Sequence, residues 1–364
     1  MRLAPPRARR AGFGLALALA LGLPGCQGCR REIHFTPAGS DSIGIHSADS
    51  LRAIIRGAQA QWEIPDGGEG AARTSALIVG EDLQEHPNLP WAGRARMLLD
   101  SLDFGAELAA DRRVLAINFF SRSRPDAGAW PWLFWRGPRG MAMRPLSGHD
   151  LQLLQVATRP DPTGSPEAWG QVAVLFARRT AAGREPLVMV WDAPNGETWA
   201  PSQTLGSDSL GGVGTVQIQV ETDTSLVLTA RTFRGMPRFE ECATCPHVYS
   251  LHRFRWGSGG FTRIEDREVP SPYSTFVQFI LALGVGDQEA AGRLVTDPAL
   301  LDQARLFELA ALPKGMWRAA PATDESAGTM VFFRGQQEAY QVSFEPRGDT
   351  WLISSLRPTT RTIE

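Results

Sequence analysis

Apolar residues recur at helical spacing near the amino terminus and at strand spacing through most of the chain beyond it. After Ser47, a residue suited to cap a helix, the helical series consists of Leu51, Ile54, Ile55, Ala58 and Trp62. A second helical series over 91–102 predicts another amphipathic helix. The apolar run at 76–79, between the two, predicts a short strand. Residues 47–112 are therefore predicted to form a mainly helical lead-in.

From residue 113 to residue 269 the pattern changes to short runs rich in β-branched and aromatic residues. Glycine, proline, aspartate and asparagine separate these runs, as the turns of an antiparallel sheet require. The predicted strands lie at 114–120, 130–135, 151–157, 171–178, 186–191, 215–221, 225–233, 248–256 and 261–268. The runs do not recur at a fixed length, so a regular propeller is not indicated. A sandwich, a barrel or an irregular partial propeller remains open for this antiparallel β domain.

Pro270 and Pro272, with one serine between them, break both helix and strand and mark a second boundary. The predicted helices beyond it lie at 276–283, 288–295 and 298–307. Asp287 is a suitable cap for the second of these helices. The predicted strands lie at 329–333, 338–344 and 350–356.

Helices followed by a returning antiparallel sheet make residues 270–364 resemble the cystatin-like α+β roll of the nuclear transport factor 2-like superfamily. The segment 276–287 and the last strand, 350–356, carry the resemblance. It implies a concave pocket and no particular reaction, because that superfamily includes enzymes and non-catalytic domains. The predicted fold class is therefore α+β multidomain, with an antiparallel β-rich middle domain at 113–269 followed by a cystatin-like roll.

Composition places the chain among globular proteins and removes several chemistries. At 364 residues the chain has room for two cores, and its 43% hydrophobic and 21% charged residues are typical of folded domains. The net charge is -2, and the four arginines of the first 25 residues leave the remainder more acidic still. This argues against a nucleic-acid partner, which needs a basic surface. Lys314 is the only lysine, so the chain lacks a Walker, Schiff-base or kinase lysine elsewhere.

The amino terminus has the layout of an export signal. Residues 1–10 are basic, and residues 11–23 are apolar but too few to span a bilayer permanently. Leu23-Pro24-Gly25-Cys26 then resembles the lipobox of bacterial lipoproteins. The resemblance implies a signal peptide at 1–25 and a diacylglyceryl group on Cys26, and two or more acyl chains, such as palmitate, anchor a protein stably. The alternative is an ordinary secreted protein cut near Gly25.

Residues 26–46 are polar and contain glycine, proline and serine, which predicts a flexible tether. Gln27 follows the cysteine in place of an aspartate, and in Gram-negative lipoproteins this resembles outer-membrane sorting. The predicted location is exported and membrane-anchored, at the outer membrane or facing the periplasm if the source is Gram-negative. The predicted partners are the membrane, through the lipid, and an unknown protein or small ligand.

Cys242 and Cys245 form a Cys-x-x-Cys within the predicted β domain, and Cys26 and Cys29 have the same spacing near the amino terminus. In an exported protein two cysteines three apart can bridge across a turn, which predicts a local disulfide. A thioredoxin-type pair needs a helix N-terminus, whereas the flanking runs here are predicted strands. Zinc stays an alternative cofactor, with Cys242, Cys245 and His247 as ligands and His252 as a candidate fourth. Haem attachment is excluded because Pro246, and no histidine, directly follows the second cysteine.

Aromatic residues form a second set of candidate binding residues. Trp130 and Trp132 alternate onto one face of a strand, where they could stack on a ligand or fill a core. In the last domain Trp317, Tyr340 and Trp351 are candidates to line the pocket of the roll. No catalytic residue is predicted, because no isolated aspartate or histidine base accompanies them.

Together these features predict a lipid-anchored cell-envelope protein with a non-catalytic binding or scaffolding role and no cofactor. The alternative is a thiol-disulfide or zinc-dependent enzyme centred on Cys242, Cys245 and His247. Thiol counting with and without reductant, together with metal analysis, separates these functions.

Overall fold

The computed structural model describes most of the chain after the amino terminus. The described residues are 33–34, 48–64, 66–101, 105–124, 128–137, 140–147, 149–160, 169–193, 199–222, 225–240, 242, 244–311, 315–320, 328–336 and 338–359. The predicted signal peptide, Cys26 and most of the predicted tether lie outside the described residues. Within the described part of the chain, no helix combines the length and the apolar character needed to cross a membrane.

Residues 48–101 form three consecutive helices: α1 (Ala48–Trp62), α2 (Gly68–Glu85) and α3 (Trp91–Ser101). They confirm the helices predicted after Ser47 and over 91–102. The strand predicted at 76–79 is wrong, because this run is the middle of α2. A four-residue apolar run does not distinguish a buried strand from a buried helix. Packing against α1 stabilises the helical form, in which Ala72, Ala76 and Val79 are buried at helical spacing.

Three antiparallel meanders follow in chain order. The first sheet contains β1 (Ile33–His34), β2 (Gly105–Ala110), β3 (Val114–Phe120), β4 (Ala129–Gly137) and β5 (Gly140–Pro145), with β1 on the outer edge of β5. The second sheet contains β6 (Gln152–Pro160), β7 (Trp169–Thr180), β8 (Gly183–Asp192) and β9 (Gln203–Leu205). After the short helix α4 (Ser207–Leu210), the third sheet contains β10 (Val213–Thr222), β11 (Ser225–Phe233), β12 (Tyr249–Gly257) and β13 (Gly260–Glu268).

Every strand predicted between 113 and 269 coincides with an observed strand, which confirms the antiparallel β-rich class of this region. The pattern does not predict β2, β5 or β9. β2 reads Gly-Ala-Glu-Leu-Ala-Ala, and small residues have low β propensity. β9 has only 3 residues. Pairing with neighbouring strands forms these elements where intrinsic propensity does not.

The three sheets pack face to face in chain order, and the helices cover the outer face of the first sheet. In β4, Phe134 faces the helices and the adjacent Leu133 faces the second sheet. In β7, Val174 faces the first sheet and the adjacent Leu175 faces the third. Successive residues of a strand point to opposite faces, so a central strand that reads as a continuous apolar run supplies two cores. We call these three sheets the stack.

Polar side chains join edge strands of neighbouring sheets. A carboxylate oxygen of Glu107 in β2 accepts a hydrogen bond from the N–H of Leu153 in β6 at 2.6 Å. The side-chain amide of Gln155 in β6 donates to the Ile218 carbonyl in β10 at 2.8 Å and accepts from its N–H at 2.9 Å. The edge strands β2, β6 and β10 therefore lie next to one another on the same side of the stack.

A second α+β unit follows Pro270. Its helices are α5 (Pro272–Val285), α6 (Gln288–Gly292) and α7 (Ala299–Leu306). Its sheet contains, in spatial order, β14 (Trp317–Ala319), β15 (Thr329–Arg334), β16 (Glu338–Arg347) and β17 (Thr350–Pro358). The predicted cap is confirmed, since the Asp287 carboxylate accepts from the Ala290 N–H at 2.9 Å. α5 covers the sheet, and Phe276 stacks on Phe332 with ring centroids 3.8 Å apart.

Candidate functional site

The connection between β11 and β12 leaves the third sheet and enters the C-terminal unit. We call residues 234–248 the arm. Phe239 in the arm is 4% exposed and packs edge-to-face against Tyr273 and Phe276, with ring centroids 6.0 and 6.4 Å apart. The arm thus contributes a side chain to the core of the C-terminal unit, although it connects two strands of the third sheet.

Backbone hydrogen bonds hold the same part of the arm against β14. The Trp317 N–H donates to the Arg238 carbonyl at 2.8 Å, and the Glu240 N–H donates to the Trp317 carbonyl at 2.7 Å. Arg238 has a φ of 70°, in the left-handed region that is costly for a residue with a side chain. Its guanidinium lies against Gly284 of α5, where a Cβ would be 2.2 Å from Nη1. This anchor holds Arg238 in a strained backbone conformation.

Cys242 and Cys245 form a disulfide at the tip of the arm, with Cα atoms 5.0 Å apart, so the predicted disulfide is confirmed. The Cys245 N–H donates to the Cys242 carbonyl at 3.0 Å, which closes a turn over the same residues. Cys242 is exposed and Cys245 is half-buried. Two sulfurs bonded to each other are not the two thiolates that a zinc site needs. Across the described ranges, no three or more His, Cys, Asp or Glu residues group to hold a metal ion.

His247 lies where the arm returns to the third sheet. It is 3% exposed and stacks on Phe233, with ring centroids 3.4 Å apart and planes 9° apart. Tyr249 meets the same imidazole edge-on at 5.9 Å. His252, in contrast, lies inside β12 and its Nδ1 is 3.0 Å from a carboxylate oxygen of Asp266. The structure therefore does not bring the two candidate zinc histidines together.

A small cleft opens between the arm, the third sheet and the C-terminal unit. The residues that shape it include Arg231, Pro246, His247, Tyr249, Tyr273 and Met330. Its enclosed volume is ≈ 20 Å³, which is room for about one water molecule. Pockets for metabolites are larger by more than tenfold, at roughly 300 Å³ and above. The cleft is therefore too small to enclose a metabolite and is a shallow depression that a partner surface can cover.

The walls of the cleft are mostly apolar, and a cation lies at its rim. Arg231 is exposed on β11, and its guanidinium carbon lies 4.1 Å from the centroid of the Tyr249 ring. Stacking on an aromatic face orients a guanidinium without removing its charge. An anionic group next to an apolar side chain would match this combination.

Two of the aromatic residues predicted to line a pocket of the roll meet in a filled core. The rings of Trp317 and Tyr340 lie 5.7 Å apart, and the buried Arg334 guanidinium packs against both. Arg334 also pairs with Glu338 and donates to the Glu308 carbonyl just after α7. Burial raises the pKa of Tyr340, and the hydrogen bond that its hydroxyl donates to Glu338 adds to this shift. These contacts secure the end of α7 on the sheet.

The remaining predicted binding residues lie elsewhere. Trp351 pairs with Pro346, at the opposite end of β16 from Tyr340. Trp132 is 5% exposed and packs beneath the helices. Trp130 lies half-buried on the same face, with its ring centroid 4.0 Å from that of His149. The shared face of Trp130 and Trp132 is present, and it faces the helical layer.

Four cleft residues are not singled out by the sequence pattern: Arg231, Tyr249, Tyr273 and Met330. The available signal is indirect, because Tyr273 directly follows the double-proline boundary and Tyr249 begins the strand after the Cys-x-x-Cys. Met330 reaches the cleft through the pairing of β15 within a different sheet. Contacts between distant segments leave no trace in local periodicity.

The chain matches no protein-family model. Comparisons with curated proteins and with solved structures likewise find no match.

Proposed function

We propose that this chain is a lipid-anchored cell-envelope protein whose role is non-catalytic, and that it docks a partner protein at the cleft beside the arm. The amino-terminal pattern that ends at Cys26 supports export and anchoring. The observation that carries the binding role is the cleft itself, a small and mostly apolar depression with an arginine at its rim. We expect the partner to present an apolar side chain next to a carboxylate.

We also propose that the stack and the C-terminal unit each have a known fold. The joined inner strands and the meanders in chain order support an irregular partial propeller for the stack. The three helices and the meander of the C-terminal unit support a cystatin-like roll. Neither fold names a reaction, because both occur with many functions.

The anchor is tested with Cys26→Ser and, as a matched control, Cys29→Ser. Cells are fed a fatty acid with a clickable alkyne, and both labelling and membrane fractionation are measured. We expect Cys26→Ser to lose the label and leave the membrane fraction, whereas Cys29→Ser keeps both. Undiminished labelling of Cys26→Ser contradicts the anchor.

The docking site is tested by quantitative co-purification of the full chain from native membranes. Arg231→Glu reverses the charge at the rim of the cleft, and Arg255→Glu reverses an exposed charge on the neighbouring strand β12. We expect a partner that wild type and Arg255→Glu retain equally, and that Arg231→Glu recovers at least about 10-fold less. Equal recovery of every co-purifying protein with all three chains rules out this docking site.

One observation favours the second candidate, a thiol-disulfide enzyme centred on Cys242, Cys245 and His247. The Cys242 side of the disulfide is exposed, as exchange with a substrate thiol requires. Turnover of a disulfide substrate, lost in Cys242→Ser, would support the enzyme. Thiol counting with and without reductant, together with metal analysis, tests the zinc form, which requires two free thiols and stoichiometric zinc.

A further inference from the structure

The arm has two anchor points with a disulfide between them. On the outward side, Phe239 fills the core of the C-terminal unit and Glu240 donates to the Trp317 carbonyl at 2.7 Å. On the return side, His247 stacks on Phe233 of the third sheet, and the next residue, Val248, is buried in the C-terminal core. The covalent link between Cys242 and Cys245 spans the short tip that joins these two points.

We propose that the Cys242–Cys245 disulfide is a redox-controlled pin, and that its reduction by a dithiol releases the arm from the junction of the third sheet and the C-terminal unit. This inference goes beyond the docking role and needs no partner protein. It assigns the exposed cysteine a regulatory use in place of a catalytic one.

The two cysteine residues differ in exposure, and this difference sets the course of the exchange. Cys242 is exposed and Cys245 is half-buried, so an incoming thiolate reaches the Cys242 sulfur first. A mixed disulfide forms with Cys242, and the Cys245 sulfur leaves as a thiolate that takes up a proton. The second thiol of the reductant then closes a disulfide within the reductant and frees Cys242. Two electrons pass from the dithiol to the arm, which ends with two thiols.

Release is favoured by strain that the anchors hold in place. Arg238 has a φ of 70° at the start of the outward side, a conformation that the surrounding contacts must stabilise. The hydrogen bond from the Trp317 N–H to the Arg238 carbonyl, at 2.8 Å, is one of these contacts. Once the ring opens, the unfolded arm gains chain entropy and Arg238 can return to an ordinary conformation.

The pin also controls the shape of the cleft. Pro246 and His247 directly follow the second cysteine and form one of its walls. Movement of the arm removes that wall while leaving Arg231 and Tyr249 on the third sheet. Reduction therefore changes a binding surface without altering the strands that frame it.

Amide hydrogen exchange of the full chain in detergent tests the pin. The four samples are oxidised wild type, wild type reduced with dithiothreitol, and the Cys242→Ser/Cys245→Ser variant with and without dithiothreitol. We expect the amides of Glu240 and Trp317 to exchange about 10-fold faster in reduced wild type than in oxidised wild type. We expect the variant to match reduced wild type in both conditions. Amides in the centre of β7 provide the internal control and keep one rate throughout.

Equal exchange at Glu240 and Trp317 in oxidised and reduced wild type overturns the proposal. Cysteines that dithiothreitol reduces only under conditions that unfold β7 also overturn it, because the pin must open in the folded protein. If the variant does not fold, reduction of wild type still decides the question. Loss of the docking site in the co-purification experiment does not affect this readout, since hydrogen exchange requires no partner.

Discussion

His252 is a buried titratable residue whose surroundings favour its neutral form. It is 6% exposed, its Nδ1 lies 3.0 Å from Asp266, and its Nε2 faces the backbone of Gly211. Burial is the main reason that the pKa of His252 is lowered. Asp266 opposes this shift, whereas Arg263 and Arg234 add to it. The buried surroundings therefore favour the neutral imidazole, although a carboxylate oxygen of Asp266 lies 3.0 Å from its Nδ1.

We expect the free energy of unfolding to fall as the pH drops below about 6.5, the ordinary pKa of an unfolded histidine. The folded pKa is lower, so over this range the unfolded chain binds the proton that the folded chain excludes. Urea unfolding between pH 7 and pH 5 measures the effect. His252→Gln should show a weaker pH dependence than wild type, and the exposed His149→Gln should follow wild type. Parallel profiles for wild type and His252→Gln would falsify this account.

Gly211 faces the same histidine and tolerates no side chain. Its φ is 85°, and a Cβ would lie 2.1 Å from Nε2 of His252 and 2.7 Å from Oγ1 of Thr232. We expect Gly211→Ala to lower the free energy of unfolding by roughly 2–4 kcal/mol, through a left-handed backbone and overpacking. Gly235→Ala is the control, since nothing lies within 4 Å of its Cβ. Similar midpoints in urea for the two variants would contradict the crowding at Gly211.

At the scale of elements, the sheets of the stack are joined by more than apolar packing. Gln155 satisfies both the N–H and the carbonyl of Ile218 on the next sheet. At the opposite edge of the same two sheets, the side-chain amide of Gln203 in β9 donates to the Phe261 carbonyl in β13 at 2.9 Å and accepts from its N–H at 2.7 Å. One glutamine on each edge strand of the second sheet therefore links this sheet to the third.

We expect Gln155→Met to destabilise the protein by about 1–3 kcal/mol, because it leaves backbone groups of Ile218 without a partner. Methionine keeps the length of the side chain, so lost packing contributes little. Gln219→Met, an exposed position in β10, is the matched control and should change the unfolding midpoint little. Equal shifts of the urea midpoint for the two substitutions would contradict the bridging role of Gln155.

At the scale of the whole molecule, β1 would limit the distance between the folded body and the proposed lipid on Cys26. Ile33 pairs with Met143 at the edge of the first sheet, and it follows Cys26 by only seven residues. An extended chain spans at most ~3.6 Å per residue, so this edge would lie within about 25 Å of a lipid on Cys26. The C-terminal unit contacts the arm and the third sheet, which the second sheet separates from the first, and packed sheets lie about 10 Å apart.

A fluorophore at position 136 should therefore lie closer to the bilayer than one at position 306. Arg136 is exposed in β4 near the edge of the first sheet, and Leu306 is 77% exposed in α7. In a Cys29→Ser background, energy transfer from each labelled cysteine to an acceptor lipid measures the two distances. We expect higher transfer from Arg136→Cys. Equal or reversed transfer would show that β1 does not hold the first sheet near the membrane.

Much of the secondary structure was readable from local pattern. The runs at 225–233 and 248–256 alternate because one face of each is buried, and both are strands of the third sheet. The cap at Asp287 and the disulfide between Cys242 and Cys245 were also predictable, because each depends on residues three positions apart. The run at 76–79 was not, since burial on all sides looks alike in a helix and a strand.

The sequence by itself determined most of the strands between 113 and 269 and the boundary near Pro270, because these features follow from the period of apolar residues and from proline. Only the tertiary structure decided where those segments go. It placed Phe239 in the core of another unit, turned Trp132 toward the helices, and separated His247 from His252. Each outcome depends on contacts between distant parts of the chain. The free energy of such contacts cannot be inferred from the spacing of residues within one segment.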